Sequence, residues 1–110
     1  MIEKTIGEIE AKIQGAEAVS GERKRELIQL LERLKTEVGT FSKTHGEQAE
    51  SIAGFAQLSA HEATRGDQNP QLRDLSTRGL LSSVEGFEKT HPHLVEIVNR
   101  VSNTLSNLGI

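Results

Sequence analysis

Apolar residues recur along this chain at alternating spacings of three and four residues, the pattern of one face of an α-helix. The first stripe consists of Ile2, Ile6, Ile9 and Ile13. It predicts a short helix over about residues 2–15. Ser20 then has a side chain suited to the N-cap of the next helix, because its hydroxyl can accept a hydrogen bond from a free backbone amide.

Two longer stripes follow the first. One consists of Leu27, Leu31, Leu34, Val38, Phe41, His45, Gln48, Ile52 and Phe55. The other consists of Leu80, Val84, Phe87, His91, Leu94, Val98, Val101, Leu105 and Leu108. Both keep the heptad phase of a coiled coil, which predicts helices over about residues 20–64 and 70–108. Asn69 suits the N-cap of the last helix, and Pro70 suits its first position.

A short repeat lies inside the two long stripes. Phe41-Ser42-Lys43-Thr44-His45 returns, with one substitution, as Phe87-Glu88-Lys89-Thr90-His91, which indicates an old duplication. The helices could break at each copy, because Thr44 and Glu47 fit a capping box and Pro92 obstructs the turn before it. Because the heptad phase continues unshifted, we favour continuous helices with a kink near Pro92.

Folded about the turn at residues 64–69, the two long helices form an antiparallel hairpin. The favoured register pairs His45 with Leu94 and Gln48 with His91, which places a small polar layer halfway along the hairpin. A register shifted by one heptad instead pairs the phenylalanine of each repeat copy with the histidine of the other copy. The sequence does not exclude this second register.

A helix of about 45 residues is near 67 Å long at about 1.5 Å per residue, and a hairpin of two such long helices buries only narrow stripes. Further apolar residues lie off the stripes, namely Ile28, Leu30, Leu58, Leu72, Leu75, Leu81, Val95 and Ile97. We therefore identify all eight as interface candidates, and expect some of them to cover the first helix and the rest to contact a second copy. The prediction is one all-α domain over residues 1–110. It is a long antiparallel, coiled-coil-like hairpin with a short N-terminal helix, in a three-helix bundle or a dimeric helical bundle.

The amino-acid composition limits the classes of partner that we expect. Three Phe with no Tyr or Trp favour a thin assembly packed by aliphatic side chains. A net charge of -3 gives no general attraction to nucleic acid or anionic membranes, and Arg23-Lys24-Arg25 is typical of a solvated helix face. The chain lacks Cys, a signal-peptide pattern and a spanning apolar segment. We therefore expect a cytoplasmic homo-oligomer, most simply a dimer, with an unidentified protein partner and no nucleic acid or membrane.

The histidines carry the remaining candidate chemistry. His45, His61, His91 and His93 lie near glutamates that could share a metal ion. However, the paired Glu-x-x-His motifs of di-iron bundles and the His-Glu-x-x-His motif are absent. Glycine-rich phosphate loops and a G-x-S-x-G motif are absent too. We predict no catalytic, cofactor or metal site, and interpret His45, Gln48 and His91 as a polar layer that fixes helix register.

The C-terminal third carries a resemblance to a known family. Its residues are Phe87-Glu88-Lys89-Thr90-His91-Pro92-His93-Leu94, Arg100 and Leu105-Ser106-Asn107-Leu108-Gly109-Ile110. They resemble the closing signature of DUF4404, a family of short bacterial proteins known as a domain of unknown function. The N-terminal helix and Glu22–Leu34 resemble its first half. The resemblance implies no activity or binding residue.

The function expected from the sequence is a non-enzymatic interaction or scaffold module that self-associates. The excess of apolar residues outside the stripes favours it. The alternative is a small metal- or pH-responsive regulator that uses His45 and His91, since imidazole changes its charge near neutral pH.

Overall fold

The computed structural model describes residues 2–17 and 19–108. Within these ranges the chain forms the helices α1 (Ile2–Gln14), α2 (Gly21–Ser42), α3 (Gly46–Thr64), α4 (Pro70–Ser82) and α5 (Pro92–Leu108), and no strand. None of these helices is both long enough and apolar enough to span a membrane. The principal dimensions are 37 × 24 × 21 Å. The prediction of an all-α helical bundle is confirmed.

Local sequence signals set the starts of α2 and α4. The Ser20 hydroxyl accepts a hydrogen bond from the Arg23 amide at 3.2 Å. Asn69 Oδ1 accepts one from the Leu72 amide at 3.1 Å, and Pro70 is the first residue of α4. Each cap satisfies an amide in the first helical turn that has no partner within the helix.

The two long helices predicted from the heptad phase are each divided. The helix expected over residues 20–64 is α2 and α3, separated by residues 43–45, and the one expected over residues 70–108 is α4 and α5, separated by residues 83–91. The kinked but continuous hairpin is therefore wrong in its helix lengths. Gly86 has a φ of 92°, a left-handed conformation that interrupts a helix, and Pro92 begins α5.

The first break does not form the predicted capping box. His45 is the N-cap of α3, and its side chain makes no capping hydrogen bond. The Thr44 hydroxyl instead donates to the Phe41 carbonyl oxygen at 3.4 Å, on the preceding helix. This hydroxyl therefore closes the end of α2 and leaves the start of α3 uncapped by a side chain.

Helix α3 lies at the centre of the bundle and contacts each of the other four helices. Its inward face carries small residues, namely Ala49, Ala53, Ala56, Ser59, Ala60 and Ala63. Small side chains let neighbouring helices approach closely, so α1 and α4 both pack tightly against α3. Helix α2 packs against α5, with Leu31, Leu34, Val98 and Val101 fully buried.

Helix α1 is an integral layer of the bundle, packed on α2 and α3. All its isoleucines are buried, as the first stripe predicts. Lys35 Nζ of α2 lies 3.5 Å from Glu10 Oε1 of α1 and 2.8 Å from Glu32 Oε2. Burial raises the pKa of the Glu10 carboxyl, and its hydrogen bond with Glu32 acts in the same direction.

Candidate functional site

The two helix breaks bring four rings together, and we call Phe41, His45, Phe87 and His91 the ring cluster. The Phe41 and His45 rings stack with centroids 4.6 Å apart and an interplanar angle of 3°. Phe87 meets Phe41 edge to face at 5.1 Å, and His91 meets His45 in the same way at 5.4 Å. The rings from the two repeat copies thus pack into a single unit.

Each repeat copy makes the same local hydrogen bonds. In the first copy, the His45 amide donates to the Phe41 carbonyl oxygen at 2.9 Å, and Thr44 Oγ1 lies 2.7 Å from His45 Nδ1. In the second copy, the His91 amide donates to the Phe87 carbonyl oxygen at 2.8 Å, and Thr90 Oγ1 lies 2.9 Å from His91 Nδ1. The repeat seen in the sequence is therefore also a repeat of backbone turn and side-chain contact.

The ring contacts follow the register that we did not favour. Phe41 meets His91 at 4.9 Å between centroids, and His45 meets Phe87 at 5.5 Å. Gln48, expected opposite His91, donates from Nε2 to the Ser83 carbonyl oxygen at 2.6 Å. The Gln48 side chain therefore connects α3 with Ser83, the residue that follows α4. The favoured register fails because it assumed helices that continue through residues 43–45 and 83–91, where the helices end.

The described contacts of the ring cluster leave few polar atoms for binding a metal ion or a substrate. Each histidine has its Nδ1 within hydrogen-bonding distance of a threonine hydroxyl and a ring face or edge against a phenylalanine. Over residues 2–17 and 19–108, no three His, Cys, Asp or Glu side chains are grouped so as to hold a metal ion. The arrangement is that of packed rings, in which an edge-to-face aromatic pair contributes about 0.5–1.5 kcal/mol.

The apolar residues outside the stripes fall into two groups. Leu30 and Ile97 are only 4% and 0% exposed and belong to the core, so assigning them to a partner interface is wrong. Ile28 and Val95 are half-buried and pack against the core, and Leu81 is half-buried as well. A helix enclosed by several neighbours is buried on more than one side, which a single stripe does not predict.

The other group, made of Leu58, Leu72 and Leu75, is exposed. Together with Phe55 from the second stripe, these residues form an exposed apolar patch that we call the α3–α4 surface. Their exposed fractions are 38% for Phe55, 45% for Leu58, 41% for Leu72 and 59% for Leu75. They line a shallow groove of about 150 Å³ between α3 and α4. Sequence reasoning placed Phe55 in a buried stripe and so missed its place on this surface.

Gly79 and Glu62 determine the shape and the polarity of the groove. A Cβ on Gly79 of α4 would overlap the Phe55 ring, so the absent side chain lets this ring lie directly against α4. Glu62 also lines the groove and is 5% exposed. Its Oε1 accepts a hydrogen bond from Arg65 at 2.9 Å. The groove is therefore lined by four apolar side chains, by Ser76 and by one carboxylate that is already paired.

The outer edge of the α3–α4 surface carries opposite charges. Arg78 Nη2 lies 2.8 Å from Asp74 Oδ2, and the two side chains are 68% and 64% exposed. With Gln71, they line a depression along α4 beside Leu72 and Leu75. An exposed pair of this kind adds little to folding stability, so both charges remain available for other contacts.

A second groove, of about 420 Å³, lies between α1 and α3. Its lining consists of Glu8, Ile9, Lys12, Gly54, Gln57, Leu58 and His61. Lys12 Nζ lies 3.3 Å from His61 Nδ1. The groove presents charges of both signs without several groups converging on one point, which a small-molecule site needs.

Comparison with known proteins assigns the chain to a family. No curated protein and no solved structure matches the chain. The family model described as "Domain of unknown function (DUF4404)" matches residues 27–110. This region contains the ring cluster and the α3–α4 surface, and α1 precedes it. Because the match takes in α3, α4, α5 and most of α2, the chain belongs to the DUF4404 family.

Proposed function

We propose that this protein is a non-enzymatic interaction module that self-associates through the α3–α4 surface. The observation that carries the proposal is the exposure of Phe55, Leu58, Leu72 and Leu75 side by side on two adjacent helices. They are the exposed large hydrophobic residues within the described ranges. A contiguous apolar patch on a small protein is typical of an interaction site.

The chemistry of the grooves supports a binding role over a catalytic one. An active site needs a nucleophile or a paired acid and base within reach of one reacting atom. The α3–α4 groove offers four apolar side chains, the paired Glu62 and Ser76. Pairing of this surface with that of a second copy buries the leucines of both, in the manner of two helical hairpins that form a four-helix bundle.

The test is molar mass in solution, measured by light scattering after size exclusion over a range of micromolar concentrations. Refractive-index detection suits a chain without Trp or Tyr. We expect a dimer for the wild type and a monomer for Leu75→Glu, with the dimer dissociation constant raised at least about 100-fold, or roughly 2.7 kcal/mol. Since Leu75 is 59% exposed, the variant keeps its helical circular dichroism.

Gln29→Glu is the matched control. It adds the same charge at an exposed position of α2, a helix that does not pack against α4 within the described residues. This variant should remain a dimer. A wild type that is monomeric throughout the range contradicts self-association. Equal dissociation of both variants contradicts the assignment of the interface to the α3–α4 surface.

The alternative function, a metal- or pH-responsive regulator at His45 and His91, has weaker support. The two imidazole rings meet edge to face, with centroids 5.4 Å apart. However, each imidazole already has its Nδ1 beside a threonine hydroxyl and its ring against a phenyl ring. We therefore favour a packing role for the two histidines.

A further inference from the structure

The α3–α4 surface has both the shape and the charges to fit a second copy of itself. We propose that two copies pack these surfaces around a two-fold axis near Leu75. Leu75 of each copy then enters the groove of the other, and Asp74 of each copy pairs with Arg78 of the other. This proposal rests on the self-association proposed above and specifies its geometry.

The shape argument begins with Leu75, which at 59% is the most exposed of the four apolar residues. Leu75 stands at the edge of the groove of about 150 Å³, which it lines together with Phe55, Leu58, Glu62, Leu72 and Ser76. The volume of the groove is large enough to admit a leucine side chain from another copy. A projecting side chain and a matching groove on one surface fit each other when the copies are related by a two-fold axis. The result is knobs-into-holes packing between helices.

The charge argument comes from the edge of the same surface. Two α4 helices that run antiparallel about an axis at Leu75 place residue 74 of one copy across from residue 76 of the other. Arg78 of that copy is then about 3 Å further along the helix, at roughly 1.5 Å per residue. An arginine side chain spans this offset. Each internal Asp74–Arg78 pair, 2.8 Å long in the single chain, can thus be exchanged for a pair between copies.

The same charges argue against a lipid surface as the occupant. Interfacial helices that bind anionic membranes carry Lys and Arg around their apolar face. Here Asp74 lies beside Leu75, and Glu62 lines the groove. Each of these carboxylates is paired with an arginine, so the surface has no excess of positive charge to attract anionic headgroups. A surface with both signs instead suits a partner that presents the same charges in reversed order.

The test uses two complementary charge variants. Asp74→Arg makes the edge of α4 wholly positive, and Arg78→Asp makes it wholly negative. Each variant alone should self-associate at least about ten-fold more weakly than the wild type, because like charges face each other across the axis. An equimolar mixture should form a heterodimer with an affinity within a few-fold of the wild-type dimer. Light scattering gives the mass, and native mass spectrometry distinguishes mixed from identical pairs.

Arg25→Asp is the control, since it changes net charge by the same amount as Arg78→Asp but at an exposed position on α2. It should dimerise as the wild type does. Circular dichroism confirms that each variant is folded before its mass is compared. Recovery of the dimer in the mixture alone supports the two-fold geometry, because each variant by itself presents a single sign.

Two outcomes overturn this geometry and leave the proposed function standing. One is a wild-type dimer that neither charge variant weakens, as long as Leu75→Glu still dissociates it. The other is a pair of weakened variants that do not recover on mixing, because the axis then lies elsewhere on the α3–α4 surface. A monomeric wild type overturns both proposals and leaves the surface for a different protein.

Discussion

The ring cluster and the α3–α4 surface use phenylalanines from the same heptad stripe in opposite ways. Phe41 is 2% exposed, with rings from both repeat copies against it. Phe55 is 38% exposed and rests with one side on Gly79. The stripe is divided by the break between α2 and α3, so its two phenylalanines lie on separate helices. Position in a stripe therefore does not fix burial once the helix is interrupted.

Phe41→Ala against Phe55→Ala is the strongest test of this comparison. Removing a fully buried ring costs about 3–5 kcal/mol in the free energy of unfolding. We expect that loss for Phe41→Ala and a smaller one, of roughly 1–2 kcal/mol, for Phe55→Ala in the monomer, because the Phe55 ring has less buried area to lose. Chemical denaturation followed by far-ultraviolet circular dichroism, at several protein concentrations, measures both. Equal losses would contradict the difference between the two regions.

His91→Ala sharpens the comparison within the ring cluster. His91 contacts Phe41, His45 and Phe87 at 4.9–5.9 Å between ring centroids. Because each of these three pairs contributes about 0.5–1.5 kcal/mol, we expect the substitution to lower the free energy of unfolding by at least about 1.5 kcal/mol.

The matched control for His91→Ala is His93→Ala, in the first turn of α5 and exposed. It should change the free energy of unfolding by less than about 0.5 kcal/mol, as is usual for surface positions. Denaturation of both variants at the same neutral pH makes the comparison. If the two changes are alike, the ring contacts contribute little to stability.

A pair of glycine variants tests the α3–α4 surface with the smallest expected effect. A Cβ on Gly54 meets no atom within 4 Å. Gly54→Ala should therefore stabilise α3 by up to about 1 kcal/mol, the difference in helix propensity between the two residues. In a domain of this size that raises the melting temperature by roughly 4–8 °C.

Gly79→Ala should give no such gain, because the new Cβ displaces the Phe55 ring from α4. It should also weaken self-association, since the moved ring alters the groove. Thermal melts of both variants, with light scattering, measure the two effects. A stabilisation equal to that of Gly54→Ala would mean that the contact between Phe55 and Gly79 contributes nothing.

The sequence predicts the helices where local chemistry specifies them. Ser20 and Asn69 act as caps, and Pro70 begins α4, because these effects need only the neighbouring residues. The breaks at residues 43–45 and 83–91 were harder to predict. Leu94 and Val98 of α5 remain buried after the second break. The apolar phase therefore persists whether or not the helix continues, and it carries no information about length.

The candidate site could be predicted only in part, for a related reason. Leu58, Leu72 and Leu75 were identified as interface candidates, and they are exposed in the single chain. Leu30 and Ile97 were identified by the same criterion but lie in the core. Burial on a second helix face depends on which neighbours reach it, and the breaks determine those neighbours. The pattern along one helix does not contain that information.

The ring cluster also gives the protein an internal spectroscopic reporter. With no Trp or Tyr, the chain has little intrinsic fluorescence with which to follow its tertiary structure. The imidazoles of His45 and His91 lie 4.6–5.9 Å from phenyl rings, close enough for ring currents to displace their carbon-bound proton resonances. The part of each displacement that comes from the other copy, through Phe41 on His91 at 4.9 Å and Phe87 on His45 at 5.5 Å, exists only while the two repeat copies remain in contact. Nuclear magnetic resonance of two histidines can thus follow closure of the bundle without any added label.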